Sequence, residues 1–189
     1  MARNLLKRYS LQRIDSQLVR STHTAWSDQL TRLSSPEDYV LVSHYERILL
    51  WIQNFTDGLN VSKGENWYGL VDVQQGYPVA LLELIHARPE SDAPWLKLLN
   101  LYVEPRLDVE KRELGDSSTI SEAAEVVVAS ITEALILTFE DLPSAQLKIY
   151  GRTEQMKGFF EGLVATFDDP VPGIKVKLEG RWLVFDKRS

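Results

Sequence analysis

One segment constrains this chain more than any other: LLNLYVEPRLDVEKRELGDSSTISEAAEVVVASI, residues 98–131. An apolar run from Trp95 to Val103 passes through a charged linker with one glycine into a long apolar helix. So apolar a strand is predicted to lie centrally in a sheet, covered on both faces. The helix is predicted over Thr119–Leu142, with Ile120, Ala124, Val127, Ile131 and Leu135 on its inner stripe and Pro143 closing it. Thr119 and Glu122 form a T-x-x-E capping box, which sets that predicted start. The linker has two readings. Backbone amides at a helix start suit a phosphate cradle. The run GDSST equally caps a helix with no ligand, because small hydroxyl side chains satisfy orphan amides.

The remaining elements follow from periodicity and punctuation. YSLQRID (residues 9–15) alternates as a short strand, and residues 16–33 carry Leu18, Trp26, Leu30 and Leu33 at helical spacing. SSPEDY opens a second helix through Phe55, with Val42, Tyr45, Leu49 and Ile52 on one face. NWYGLVDV and YPVALLELIHA flank QQG as a hairpin. After the long helix come the strand AQLKIYG, an amphipathic helix TEQMKGFFEGLVATF, and a closing hairpin of IKVKLEG and RWLVFD. The predicted order is β-α-α-β-β-β-α-β-α-β-β, an α/β (α+β) fold with a mixed, mostly antiparallel sheet flanked by helices. At 189 residues, with no internal repeat or linker, a single domain over 1–189 is expected.

Charge and residue usage then exclude several chemistries. The net charge is −6 and the pI near 5.2, with basic residues scattered, so no nucleic-acid partner is expected and a cationic one is favoured. The absence of cysteine removes disulfides, thiolate metal sites and cysteine nucleophiles. His23, His44 and His86 stand apart, so no metal site is expected. No apolar run suits a signal peptide or a membrane span; a cytoplasmic protein without membrane contact is expected.

Three features, LNLYVEP, the glycine-containing turn before the longest helix, and FFEGL ahead of the terminal hairpin, carry a likeness. In this order, from about Tyr9 to Phe185, the chain resembles the GNAT superfamily of N-acetyltransferases. The resemblance implies acetyl-CoA as cofactor, its pantetheine arm beside the fourth strand at Leu101 and Val103. It implies a pyrophosphate turn of the form Q/R-x-x-G-x-G/A, whose closest match here is R-x-x-G-x-S at Arg112, Gly115 and Ser117, with Ser118 beside it. An amine, on a small molecule or a protein, is the implied acceptor. Dimers are common among such proteins, and no residue here decides for or against one.

Glu83, Asn100, Tyr102 and His86 are the polar side chains on strands that could line the implied cleft. Glu83 and Tyr102 are the candidate catalytic residues. Glu83 alternates with Leu81 and Ile85, and burial on that face is expected to raise its pKa toward that of a general base. Two departures motivate an alternative, a GNAT-like binding or regulatory module without catalysis. The turn carries Ser117 where the resemblance implies glycine or alanine, and Phe160 stands where it implies a proton-donating tyrosine; Thr153 likewise stands where it implies asparagine.

Overall fold

The computed structural model describes residues 8–32, 38–56, 67–108, 117–166 and 173–187. Its elements are β1 (Tyr9–Arg13), α1 (Ser16–Arg32), α2 (Tyr39–Thr56), β2 (Trp67–Asp72), β3 (Tyr77–Ala87), β4 (Trp95–Val103), a 3₁₀ turn (Pro105–Leu107), α3 (Ser117–Leu137), β5 (Gln146–Tyr150), α4 (Glu154–Thr166), β6 (Lys175–Glu179) and β7 (Trp182–Asp186). This is the expected order. The strands are ordered β1-β2-β3-β4-β5-β7-β6. β4 holds the middle place, and its pairing with β5 is parallel.

The described residues form two compact units, within Met1–Leu82 with Leu101–Ile131, and within Glu83–Asn100 with Thr132–Ser189. In the first, α1 and α2 enclose a core of Val19, Trp26, Leu41, Tyr45 and Ile52, joined by Leu81 of β3. Trp26 meets Tyr45 edge-on, ring centroids 5.6 Å apart, and its indole N–H donates to the Pro78 carbonyl at 3.0 Å. Each such side chain taken from water contributes roughly 1.5–3 kcal/mol. Asp15 caps α1, accepting from the Gln17 and Leu18 amides at 2.9 and 2.8 Å. β1 and β2 pair antiparallel from Tyr9↔Asp72 to Arg13↔Tyr68. The hairpin turn after β2 needs its glycine: Gly76 has φ +76°, a backbone conformation that side chains disfavour.

In the second unit the period-2 alternation of strands separates two faces. Leu96, Leu98, Leu147, Ile149, Leu183 and Phe185 are all buried and lie in register on one side. The other side carries Lys97, Lys148, Val184 and Lys177 in register across four strands.

α3 departs from expectation in three ways. It begins at Ser117, two residues before the capping-box threonine, and ends at Leu137 rather than Leu142. Past Leu137 the chain tightens into i→i−3 bonds, Thr138 N–H to Leu135 O at 3.0 Å and Phe139 N–H to Ile136 O at 2.9 Å. Its buried side is Ala123, Val126, Ser130, Ala134 and Leu137, while Ile120 is exposed; of the expected stripe, Ile131 alone is buried. A helix apolar nearly all round carries little phase information. Buried Ser130 further blurs the stripe, its hydroxyl satisfied by the Val126 carbonyl at 2.8 Å.

Candidate functional site

The end of β4 and the start of α3 both belong to the first unit. The Glu104 N–H donates to Val79 O of β3 at 2.8 Å. In a regular strand the flanking odd residues therefore turn their N–H and C=O groups to the opposite edge of β4, and these are Leu101 and Val103. The Val103 carbonyl already has a partner there: the Tyr45 hydroxyl donates to it and lies 3.1 Å from the Asp108 carboxylate. Ser117 and Ser118 open α3 as exposed residues. Arg112 and Gly115 lie outside the described residues. Tyr102 is half-buried against the α1–α2 core, stacked on Trp67 (centroids 6.1 Å apart, planes 9° apart) and beside His44.

A charge network that sequence reasoning missed joins these elements. The Glu104 carboxylate is fully buried. Gln29 of α1 and Tyr77 of β3 donate to its Oε2, the latter at 3.2 Å. Arg106 Nη2 lies 2.6 Å from Oε1 as an ion pair, although no donor is aimed along a hydrogen-bond direction of that oxygen. Arg106 also grips Glu122 of α3 with two bonds of 2.8 Å. Glu122 and Glu125 in turn accept from Arg8 at 3.4 and 3.1 Å, and Arg8 Nε reaches buried Asp72 at 2.9 Å. Burial pushes the Glu104 carboxyl above the ordinary carboxylate value, against the pull of Gln29 and Arg106. Hydrogen bonding from Arg106 holds Glu122 below it. Burial also raises the hydroxyl pKa values of Tyr77 and Tyr9. Glu122 is thus a bridge between guanidinium groups, an additional role that its place in the predicted capping box did not suggest. The adjacency of Glu104 and Arg106 in VEPR was a signal available in the sequence. The Arg8–Glu125 contact was not, because its partners stand 117 positions apart.

In the second unit the Asn100 amide on β4 donates to Glu83 Oε2 on β3, and Glu83 is half-buried. His86 Nε2 lies 3.2 Å from the Pro143 carbonyl oxygen. Phe160 of α4 is buried, and its ring fills the place a Cβ on Gly151 would take, 3.1 Å away. Among the described residues no group of His, Cys, Asp and Glu could hold a metal ion, and no helix is long and apolar enough to cross a membrane.

No protein-family model and no curated protein matches the chain. Among solved structures it is similar to the PaiA N-acetyltransferase from Thermoplasma acidophilum in complex with coenzyme A. The identity is 12%, over 96% of this chain and 99% of that one, with a TM-score of 0.42. It is similar to AtaTR bound with AcCoA at 12% identity, over 96% and 94% of the two chains, with a TM-score of 0.46. An acetyltransferase from Thermus thermophilus shares 15% identity over 94% and 95%, with a TM-score of 0.42.

Proposed function

We propose that the chain is a GNAT-like N-acyltransferase that moves an acetyl group from acetyl-CoA to an amine. The observation that carries this reading is the start of α3 at Ser117. In this reading the diphosphate sits on the R-x-x-G-x-S run, which ends at Ser117, and the dipole of a helix opening there favours an anion. Arg112, Gly115, Ser117 and Ser118 are the residues assigned to it. Leu101 and Val103, on β4 beyond the last described pair with β5 at Leu98, are assigned to the pantetheine arm. With the Val103 carbonyl accepting from Tyr45, its N–H is the group assigned to the ligand.

Chemistry in this reading is direct transfer. The amine nitrogen attacks the thioester carbonyl carbon, the C–S bond breaks, and CoA leaves as a thiolate. Glu83 accepts the amine proton, directly or through one water, while the Asn100 amide holds its carboxylate in place. A strand N–H stabilises the oxyanion. Tyr102 is assigned to the acceptor side as a polar ring on a packed wall. Phe160 has no proton to give, so water protonates the thiolate. The net charge of −6 favours a cationic amine.

Calorimetry with acetyl-CoA on the wild type and on Gly115→Trp, together with thiol release in the presence of polyamines, tests the proposal. Micromolar binding abolished by the bulky side chain supports the cradle. Absence of heat at millimolar ligand sinks it. A second reading, a GNAT-like binding module without catalysis, is favoured by the buried ring of Phe160. It is supported if acetyl-CoA binds and no thiol is released with any amine.

A further inference from the structure

The face of the second unit opposite its apolar side is unusual in charge. Lys97 of β4 stands directly across from Lys148 of β5, in line with Val184 of β7 and Lys177 of β6. Like charges opposed across strands are destabilising. Arg88, Lys97 and Lys148 nevertheless crowd one indole, their charged ends 4.9, 5.8 and 5.5 Å from the Trp95 ring centroid. Lys97 also lies 5.9 Å from the Trp182 ring. Of the acids on this face, Glu179 holds Lys177 at 2.6 Å and also acts electrostatically on Lys148, and Asp186 accepts from Gln146 at 2.6 Å. Among the described residues none of Arg88, Lys97 and Lys148 has an ion-pair partner.

Three cations gathered around one indole, with the Glu179 carboxylate acting on Lys148 from nearby, form a positive surface suited to an anionic ligand. We propose that this sheet face binds single-stranded nucleic acid, with phosphates on Arg88, Lys97 and Lys148 and bases on the neighbouring rings. The rings decide the class of ligand. Tyr150 is exposed and Trp182 half-buried, with centroids 4.9 Å apart, so π surface borders the lysine row. An acidic peptide would use the cations and leave those rings idle, whereas unpaired bases use both. A sheet face also offers no element to enter a duplex groove, while stacking unstacked bases on strand aromatics is a known mode of RNA recognition. The net charge of the chain is an average over its surface and does not describe this face. The proposal is independent of the acyltransferase reading.

Fluorescence anisotropy of a labelled oligouridylate of about 12 nucleotides, titrated with the full chain across a salt series, tests it. The wild type is expected to bind at low salt. Lys97→Gln with Lys148→Gln is expected to weaken binding at least tenfold and to flatten the slope of log K on log salt by about 1.4, two phosphates' worth. Trp182→Leu is expected to weaken binding roughly tenfold with the slope unchanged, as loss of stacking requires. Thermal melts confirm that each variant is folded, and Lys175→Gln, at the rim, is a second charge change expected to do little. No binding by the wild type, binding indifferent to the lysine pair, or equal competition by polyglutamate would each overturn the proposal, the last in favour of an acidic peptide.

Discussion

Arg106 and Glu122 meet as a two-pronged pair, Nη1 2.8 Å from Oε2 and Nη2 2.8 Å from Oε1, and so tie the turn after β4 to the first turns of α3. Such a fork fixes direction as well as distance. Since Arg106 also neutralises buried Glu104, one guanidinium secures the end of the strand and the beginning of the helix.

Removing that guanidinium is therefore expected to be costly. Arg106→Ala leaves the Glu104 carboxylate buried with Gln29 and Tyr77 alone. Breaking a fully buried pair costs about 3–5 kcal/mol, and the partial exposure of Arg106 lowers the expectation to about 2–4 kcal/mol. Arg106→Lys keeps the charge but not the fork, and should recover under half of the loss. Urea denaturation of the three proteins measures both.

Glu104 and Glu122 are expected to act oppositely with pH. The depressed pKa of Glu122 means that its contribution is full above the unfolded carboxylate value and is lost as pH falls through the folded value. The stability gap between wild type and Glu122→Gln should therefore close under acid. The raised pKa of Glu104 means that the fold holds its proton more tightly than the unfolded chain. Its burial penalty is absent below the unfolded value and grows as pH rises through the folded one, so Glu104→Gln should gain relative to wild type as pH rises. Thermal melts from acid to neutral pH check the two signs.

Phe160 offers a test of the missing proton donor. Its ring is 1% exposed, so Phe160→Tyr would bury a hydroxyl. A cost of about 1–3 kcal/mol is expected, with no gain in thiol release. A faster enzyme with unchanged stability would show that the hydroxyl finds the leaving thiolate.

The same ring makes Gly151 intolerant. A Cβ there would lie 3.1 Å from the Phe160 ring and 3.4 Å from the Arg181 carbonyl oxygen. Gly151→Ala is expected to cost about 1–3 kcal/mol by overpacking. Pairing it with Phe160→Leu should recover part of that, which a double-mutant cycle in denaturant would read.

Glu83→Gln separates base from scaffold. The amide can still pair with Asn100 and cannot take a proton. Thiol release should fall about 10²–10⁴-fold while the acetyl-CoA affinity stays within about twofold. Loss of affinity with rate preserved would reassign Glu83 to a structural role.

Local pattern made the elements legible. The alternation of YPVALLELIHA and the apolar run of WLKLLNLYV mark β3 and β4 at their observed bounds, because a strand's period is written in neighbouring residues. The phase of α3 was not legible, since VVVASI presents an apolar side in nearly every direction. Its start was misjudged because Thr119 and Glu122 satisfy a capping pattern, yet the Glu122 carboxylate is gripped by arginines from elsewhere in the chain. Glu83 and Asn100 were legible as polar interruptions of apolar strands, but their pairing depends on the register of β3 with β4.

By itself the sequence determined the lack of cysteine side chains by composition, and the succession of strands and helices and the turn glycine at Gly76 because each follows from residues within a few positions of one another. Tertiary structure alone decided which charges met: Arg8 with Asp72 at a separation of 64 positions, and Lys97 with Lys148 around Trp95. The physical reason is the range of the interactions. Backbone periodicity and capping act along the chain, whereas ion pairs and ring contacts act across space and depend on strand register, which no local pattern specifies.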